Sequence, residues 1–243
     1  MNILPNIEII GKALWLCKEK ILIIADLHLG YEECLNAQGI LVPRHQYKET
    51  LDDLNKILKE LQTRKAKILK IIINGDLKHE FGKITDQEWQ ETSRILNLLQ
   101  ENCKEIILIK GNHDTILEPI AKRKGLKIVN FVCLGENKDI CILHGHKILI
   151  NPEISKAKLL IIGHEHPAIS LREGAKSEIY KCFLLGKFKN KKLMVMPSFL
   201  PIIEGSDIKR EKILSPYLKQ NLDYFEAFIV ADKVYKFGKL KNI

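Results

Sequence analysis

The sequence predicts an α/β fold because two patterns alternate along most of its length. Short runs rich in isoleucine and leucine are bounded by charged residues and glycine, and these runs are too short for helices. Between them lie longer segments with apolar residues at helical spacing. This order of strand, helix and strand is typical of a sheet covered by helices. A chain of 243 residues can bury such a core, and we expect a single domain over residues 1–243.

Five of the apolar runs are predicted to be strands buried on both faces. They are "KILIIAD" (20–26), "KILKIIINGD" (67–76), "KEIILIKGN" (104–112), "KDICILHGH" (138–146) and "KLLIIGHEH" (158–166). Three hairpins are predicted as well, one near the start over residues 7–26 and two in the tail over residues 178–198 and 224–238.

Three helices are predicted between the strands, over residues 47–61, 85–100 and 115–125. The second helix opens with a capping box formed by Thr85 and Glu88, and the third is expected to end at Gly125. The apolar stripes are Leu51, Leu54, Leu58 and Leu61 in the first helix and Trp89, Leu96 and Leu99 in the second.

Composition favours a cytoplasmic protein. No apolar run approaches the ~20 residues that a membrane span requires, and the first residues lack the pattern of a signal peptide. The six cysteines form neither a C-x-x-C pair nor a tight framework, so we expect reduced, mostly buried side chains rather than a zinc ribbon or a disulfide scaffold. They are Cys17, Cys34, Cys103, Cys133, Cys141 and Cys182.

The chain carries 39 basic and 30 acidic residues, a net charge of +9, which could attract a phosphate polymer. Only six of the basic residues are arginine, and the lysines are spread along the whole chain. No clustered basic helix and no interleaved aromatic platform is evident. A diffuse, solvated lysine surface is therefore the favoured interpretation, and a dedicated nucleic-acid face is the alternative.

Each of the five predicted strands ends in a short cluster of polar side chains. The carboxyl ends of strands are where ligands bind in open α/β sheets, so we expect all five clusters to meet in one crevice. Six of the eight histidines lie in these clusters, which scattered surface histidines would not do. The clusters are Asp26 and His28, then Asp76, then Asn112, His113 and Asp114, then His144 and His146, and finally His164 and His166.

These residue types indicate a metal site. Carboxylate, imidazole and amide ligands without thiolate suit borderline divalent ions such as manganese, iron, zinc or nickel. The clusters offer too many ligands for one ion.

The motifs "ADLH", "NGDLKH", "KGNHD", "LHGH" and "IGHEH", in this order, resemble the signature of the calcineurin-like metallophosphoesterase superfamily, over residues 26–166. Longer stretches of the sequence are similar to archaeal relatives of the bacterial DNA-ligase-associated phosphodiesterases. These stretches are "DLHLGYEECLNAQGILVPR", "GDLKHEFG", "GHEHPAI" and "MPSFLPIIEGSDI".

The resemblance implies a four-layer αββα sandwich with a dinuclear centre, for which we expect two manganese ions, with iron, zinc or nickel as alternatives. One ion would be held by Asp26, His28 and His166, the other by Asn112, His144 and His164, with Asp76 as the bridge. Two dications that close repel strongly, so a shared carboxylate is needed between them. The resemblance also implies that His113 protonates the leaving oxygen and that Asp114 orients His113.

Several positions stay open. Many members of that superfamily carry aspartate where this chain has His79, which is either a contact to a ligand or the substrate, or a plain loop histidine. His146 could replace or support His144, which is preferred for its spacing. Arg44 could grip a non-scissile phosphate or be an exposed loop residue. His45 is expected to be plain surface.

Three functions are compatible with these motifs. The first is a metal-dependent phosphodiesterase that acts on DNA, RNA or a nucleotide-like diester, in nucleic-acid metabolism or DNA repair. The second is a phosphomonoesterase, and the third is a scaffold that keeps the fold without the chemistry. The complete ligand set with His113 argues against the scaffold, while the metal residues alone do not separate diester from monoester. No membrane partner is expected, and the oligomeric state is open.

Overall fold

Two sheets with their helices make up the fold that the computed structural model describes for residues 1–80, 82, 84–174 and 176–243. The predicted fold class is confirmed, since the chain is a mixed α/β protein with two sheets. The chain divides into two compact units. The first unit comprises Met1–Val129 with Phe199–Ile202, and the second comprises Asn130–Ser198 with Ile203–Ile243. The single domain over residues 1–243 stays a prediction.

The first unit contains a seven-stranded sheet and four helices. The strands are β1 (Asn2–Leu4), β2 (Ile7–Ile10), β3 (Ala13–Leu16), β4 (Ile21–Ile24), β5 (Lys70–Asn74), β6 (Glu105–Ile109) and β7 (Lys127–Val129), and the helices are α1 (Tyr31–Ala37), α2 (Gln46–Thr63), α3 (Asp86–Asn102) and α4 (Glu118–Lys124). The strands follow chain order across the sheet. The pairs from β1 to β4 are antiparallel and those from β4 to β7 are parallel.

The core of the first unit lies between this sheet and the helices. The predicted strands β4, β5 and β6 are confirmed, and their central isoleucines are buried. The three predicted helices are confirmed as α2, α3 and α4, whereas α1 was not predicted. The core includes Leu54, Leu58, Leu61, Leu96 and Leu99 from the predicted stripes. None of the helices among the described residues is both long and apolar enough to cross a membrane.

The start of α3 is joined to the loop that follows β5. Thr85 Oγ1 accepts the amide N–H of Glu88 at 3.1 Å, and the Glu88 carboxylate accepts the amide N–H of Thr85 at 3.2 Å, so the predicted capping box is confirmed. The same buried carboxylate accepts the amide N–H groups of His79 and Glu80, at 3.2 and 2.8 Å. Glu88 therefore anchors a loop that carries one of the candidate histidines.

The second unit contains a nine-stranded sheet. Its elements are β8 (Phe131–Leu134), β9 (Ile140–Leu143), α5 (Pro152–Lys156), β10 (Leu159–Ile162), β11 (Pro167–Glu173), β12 (Lys176–Phe188), β13 (Lys191–Val195), β14 (Ser206–Asp207), β15 (Glu226–Val230), β16 (Val234–Lys239) and a short 3₁₀ helix (Leu240–Asn242). The order is β14-β11-β12-β13-β10-β9-β8, with β15 paired to β12 and β16 to β15. The predicted strands β9 and β10 are parallel neighbours, and both tail hairpins are confirmed.

The expectation that all cysteines are reduced and mostly buried is wrong. Cys133 in β8 lies opposite Cys141 in β9, and the two form a disulfide. Of the other four, Cys182 is buried, while Cys17, Cys34 and Cys103 are half-exposed. Directly opposite positions on paired strands bring two side chains within disulfide reach. That register is not visible in a sequence separation of eight residues.

Replacement of Gly30 by alanine is expected to destabilise the protein more than the same change at Gly39. Both glycines have φ +84°, which costs about 1–2 kcal/mol for an L side chain. A Cβ at Gly30 would lie 2.1 Å from Cγ of Glu88, whereas a Cβ at Gly39 would meet nothing within 4 Å. We expect Gly30→Ala to cost about 1–3 kcal/mol beyond Gly39→Ala, measured by urea unfolding. Equal losses would contradict the packing of Gly30 against Glu88.

Candidate metal centre

In the first unit, three neighbouring parallel strands end in the predicted polar clusters. Asp26 and His28 follow β4, Asp76 follows β5, and Asn112 lies in the loop after β6. Asp26, His28 and Asp76 are buried, and Asn112 is half-buried. Neighbouring parallel strands bring their carboxyl ends to one edge of the sheet, so this edge carries a concentration of buried carboxylate and imidazole.

Hydrogen bonds between backbones hold the loops after β4 and β5 together. The amide N–H of Asp26 donates to the carbonyl of Gly75 at 3.1 Å, and that of His28 donates to the carbonyl of Asp76 at 2.8 Å. The buried Asp114 carboxylate joins the loop after β6 to the loop after β5, because it accepts the amide N–H groups of Leu77 at 3.1 Å and Gly111 at 3.0 Å. Its predicted role in orienting His113 stays a prediction.

Asp76 is held from two sides. Its Oδ1 accepts the amide N–H of His113 at 2.8 Å, and its Oδ2 lies 3.7 Å from Nε2 of His28. A Cβ at Gly111 would lie 2.0 Å from Oδ1 of Asp76. The glycine of the G-N-H-D motif is therefore required because the backbone approaches this carboxylate closely.

Three histidine rings of the first unit form a cluster. Nδ1 of His28 lies 3.3 Å from Nδ1 of His79, and the ring centroids of His28 and His113 are 4.7 Å apart. Nδ1 of His113 donates to the carbonyl of His79 at 2.6 Å. One ligand nitrogen from each ring lies within 4.8 Å of the others, so this group could itself hold a metal ion. The ring and the carbonyl of His79 both contact predicted site residues, which favours a contact to a ligand over a plain loop histidine, and its role stays a prediction.

The imidazole of His79 is neutral near pH 7. Burial and, to a smaller extent, the neighbouring His113 together lower its pKa to about 4, against the opposing effect of Glu80. The ring of His79 therefore carries one hydrogen and keeps one nitrogen as a hydrogen-bond acceptor or metal ligand.

A fully buried lysine that was not selected from the sequence joins two of these loops. Nζ of Lys78 donates to the carbonyl of His113 at 3.2 Å and to the carbonyl of Glu80. Burial of an ammonium group is costly unless it is paired and hydrogen-bonded. Lys78 thus serves as a brace between the loop that carries His79 and the loop that carries His113.

In the second unit, β9 and β10 end in four histidines. His144 and His146 follow β9, and His164 and His166 follow β10. The ring of His164 lies 5.0 Å from that of His144 and 6.0 Å from that of His146, between centroids. Since both histidines of the H-G-H motif lie near His164, the preference for His144 stays a prediction.

A segment far along the chain braces these two histidine loops. The buried Glu165 carboxylate accepts the amide N–H groups of Ser215 at 2.6 Å and Leu214 at 3.1 Å. Oγ of Ser215 donates to the carbonyl of Gly145 at 2.9 Å. Burial raises the pKa of the Glu165 carboxyl, while the two amides oppose that rise. Neither Glu165 nor Ser215 was selected from the sequence.

The two remaining predicted positions lie at the start of α2. The Arg44 guanidinium is exposed and lies 2.7 Å from the Glu33 carboxylate, so its predicted contact with a phosphate stays a prediction. His45 is exposed, as expected. The following residue is connected to the site, because Nε2 of the buried Gln46 donates to the carbonyl of His28 at 2.7 Å.

The backbone of the ligand candidates supports a metal site in both units. Ten residues other than glycine have positive φ among the described residues, and five of them are predicted ligands: Asp26, His28, Asp76, His164 and His166. Such conformations cost energy for L residues and concentrate at functional sites. The donor set of carboxylate and imidazole fits a divalent ion. The meeting of all five clusters in one crevice stays a prediction.

The sequence profile of the calcineurin-like phosphoesterase family matches residues 19–168. No curated protein sequence matches the chain. Among solved structures, the nuclease MPE of Pseudomonas putida matches with a TM-score of 0.66 at 18% identity, covering 93% of this chain and 92% of that one. This likeness shows a shared fold.

Two further solved structures match less well. A protein of unknown function from Aquifex aeolicus has a TM-score of 0.39 at 19% identity, covering 60% of this chain and 78% of that one. A Vps29 variant from Entamoeba histolytica has a TM-score of 0.38 at 16% identity, covering 90% and 98%.

Replacement of Lys78 by methionine is expected to loosen the two loops that it joins. Methionine fills a similar volume but cannot donate to the carbonyls of Glu80 and His113. We expect the free energy of unfolding to fall by about 1.5–3 kcal/mol and the amide hydrogen exchange of residues 79–80 and 113–114 to accelerate. The exposed Lys59→Met is the control and should stay within about 0.5 kcal/mol of the unchanged protein. Unchanged stability and exchange in Lys78→Met would remove the bracing role.

Proposed function

The chain belongs to the calcineurin-like phosphoesterase family, whose profile covers more than half of it, and from this premise we propose that it cleaves phosphodiester bonds of nucleic acid through a dinuclear metal centre. Family membership makes it a metal-dependent phosphoesterase. The preference for diesters, the nucleic-acid substrate and the number of ions are the proposal.

We assign the metal ligands from the family pattern. One ion would be held by Asp26, His28 and His166, the other by Asn112, His144 and His164, and Asp76 would be shared. Manganese is the proposed metal, with iron, zinc or nickel as alternatives, because the donors include no thiolate. Bound divalent ions neutralise charge on phosphoryl oxygens and lower the pKa of water toward about 7. The left-handed backbone at five of the seven ligands supports this assignment.

The position of His113 is the observation that carries the proposed function. A carbonyl oxygen can only accept, so the contact with His79 fixes a hydrogen on Nδ1 of His113. In the protonated ring, the proton that can be given away is then the one on Nε2. An alkoxide that leaves phosphorus needs such a proton. A scaffold without chemistry would have no need of a ring held beside His28 in this way.

Nucleic acid is the proposed substrate for two reasons. Several stretches of the sequence resemble archaeal relatives of the DNA-ligase-associated phosphodiesterases, which suggests a role in nucleic-acid metabolism or DNA repair. The fold is shared with a protein described as a nuclease. Hydrolysis by a phosphomonoesterase would use the same metal residues, so substrate preference must be measured.

Diester preference is tested with a matched pair of small substrates. We expect bis-p-nitrophenyl phosphate to be hydrolysed faster than p-nitrophenyl phosphate, and single-stranded or duplex DNA to be cleaved, with manganese, nickel, zinc or magnesium supplied in parallel. Comparable rates on the two nitrophenyl esters, with DNA left intact, would favour the phosphomonoesterase.

The role of His113 is tested by varying the leaving group. General acid catalysis typically contributes ~10² to 10⁴ in rate for a poor leaving group, and p-nitrophenolate leaves without such help. We therefore expect His113→Ala to keep its metal content, to lose most activity toward an alkyl or nucleotide diester, and to lose much less toward bis-p-nitrophenyl phosphate.

Asp76→Asn is the comparison for this experiment. The amide oxygen can still accept the His113 amide N–H, but the charge proposed to be shared between two ions is gone. We expect Asp76→Asn to lose metal, measured by elemental analysis, and to lose both activities alike. Equal loss on both substrates in metal-loaded His113→Ala would leave transition-state charge stabilisation in place of proton donation. Two ions retained per Asp76→Asn chain would exclude the bridge.

A further inference from the structure

The excess of positive charge is concentrated in the second unit. That unit contains 19 basic and 12 acidic residues and so accounts for +7 of the net charge of +9, while the first unit has 20 basic and 18 acidic residues. The two units carry nearly equal numbers of basic residues, so lysine is spread over both, and the excess charge of the second unit comes from its smaller number of acidic residues.

The last strand shows the interleaving of lysine and aromatic residues that sequence analysis did not recognise. Residues 233–241 contain four lysines and two aromatic residues and no acidic residue. β16 pairs only with β15 among the described residues, so it forms an edge of the sheet. Phe237 in this strand is 43% exposed. Nearby, Nζ of Lys239 and Lys241 lie 5.5 and 4.7 Å from the ring centroid of Tyr224, which is 65% exposed.

Phe237 also lines a cavity of the second unit, of about 840 Å³. Four cationic residues line the same cavity, and they are Arg172, Lys176, Lys209 and Arg210. Arg172 lies near the end of β11 and Lys176 begins β12. An exposed ring thus shares one cavity with a group of positive charges.

The acidic side chains of this cavity are engaged within the protein. Glu178 accepts a hydrogen bond from the Tyr180 hydroxyl. Asp207 accepts from the Ser170 hydroxyl and lies 3.6 Å from Nε of Arg210. Among the side chains that the structure describes, neither Arg172 nor Lys176 pairs with a carboxylate. Both residues are exposed, so an external anion can reach them.

We propose that this cavity binds single-stranded nucleic acid, with backbone phosphates on Arg172 and Lys176 and a base stacked on Phe237. The choice of nucleic acid rests on the proposed function, while the contact itself requires no metal and no catalysis. Unpaired bases expose their flat faces, and stacking on an aromatic side chain tolerates any base. Free phosphate would use the cations without the ring, and a duplex keeps its bases stacked inside.

The histidines of the second unit do not line this cavity, and strand β11 runs from one to the other. β11 begins at Pro167, directly after His166, and Arg172 lies five residues further along the strand. At ~3.3 Å per residue this is about 17 Å. A nucleic-acid strand bound at Arg172 could extend along β11 toward His166, so the cavity would hold a part of the polymer that is not being cleaved.

The test measures the binding of a fluorescent oligothymidylate by anisotropy, with EDTA present and over a series of salt concentrations. Each phosphate contact to a single strand contributes ~0.7 to the slope of log K against log salt. We expect Arg172→Gln combined with Lys176→Gln to reduce the slope by about 1.4. The control is Lys59→Gln combined with Lys122→Gln, which removes the same charge from exposed positions of the first unit and should leave the slope unchanged.

Phe237 provides the second, independent readout. We expect Phe237→Leu to weaken binding by about 5- to 150-fold without a change in slope, because it removes stacking and no charge. Phe237→Trp keeps an aromatic face and should bind as the unchanged protein does. Weaker binding with a lower slope in the charge variant, together with weaker binding at an unchanged slope in Phe237→Leu but not in Phe237→Trp, would support the proposal.

Several outcomes would overturn it. One is that the unchanged protein does not bind oligothymidylate. Another is that the variant with Arg172→Gln and Lys176→Gln binds with the same affinity and the same salt slope as the unchanged protein. If that variant instead lost binding to phosphatidylserine vesicles but kept its binding to oligothymidylate, the surface would be assigned to a membrane and the proposal would be overturned. Hydrolysis of bis-p-nitrophenyl phosphate is measured separately. A protein that hydrolyses nothing but shows the expected binding changes would refute the proposed function and keep the proposed surface.

Discussion

The loops that carry the candidate ligands depend on one constraint. Charged side chains that are buried beside these loops must form hydrogen bonds, and they form them with the backbone of the loops. A buried polar group without a partner costs more than its hydrogen bond would have contributed. Asp114 meets the constraint with the amides of Leu77 and Gly111, and Lys78 meets it with the carbonyls of Glu80 and His113. Through these hydrogen bonds, the two side chains join the loop that follows β5 to the loop that follows β6.

The strain at the ligand positions explains why such bracing is needed. Asp76 adopts φ 47° and His164 adopts φ 68°, conformations that isolated L residues disfavour by about 1–2 kcal/mol. Such conformations persist only where contacts from the surrounding structure hold the backbone in place. Around Asp76 those contacts come from Asp114 and from the paired loop of His28, and around His164 they come from Glu165, which holds the segment at Ser215. Each unit therefore stabilises its own strained loops with its own buried carboxylate.

The sequence predicted the strand-end clusters, because position after an apolar run and residue type are both visible in one dimension. It did not predict Lys78, because a lysine in a loop is normally exposed and only the fold shows that this one is buried. Glu165 was equally hidden, since its partner Ser215 lies 50 residues away. The pairing of Cys133 with Cys141 depends on strand register, and the concentration of charge in the second unit depends on which segments fold together. Local pattern thus predicted where the candidate ligands lie on the strands, whereas the long-range contacts that hold their loops became visible only in the structure.

The contacts of His79 show how one position can differ from its relatives without loss of the proposed chemistry. His113 is held by the carbonyl of His79, which is a backbone group that any residue at this position would present. The imidazole of His79 has a different partner, because its Nδ1 faces Nδ1 of His28. The backbone and the side chain of one residue therefore serve two neighbours independently. Aspartate, which is common at this position in the superfamily, could keep the hold on His113 and still change the environment of His28.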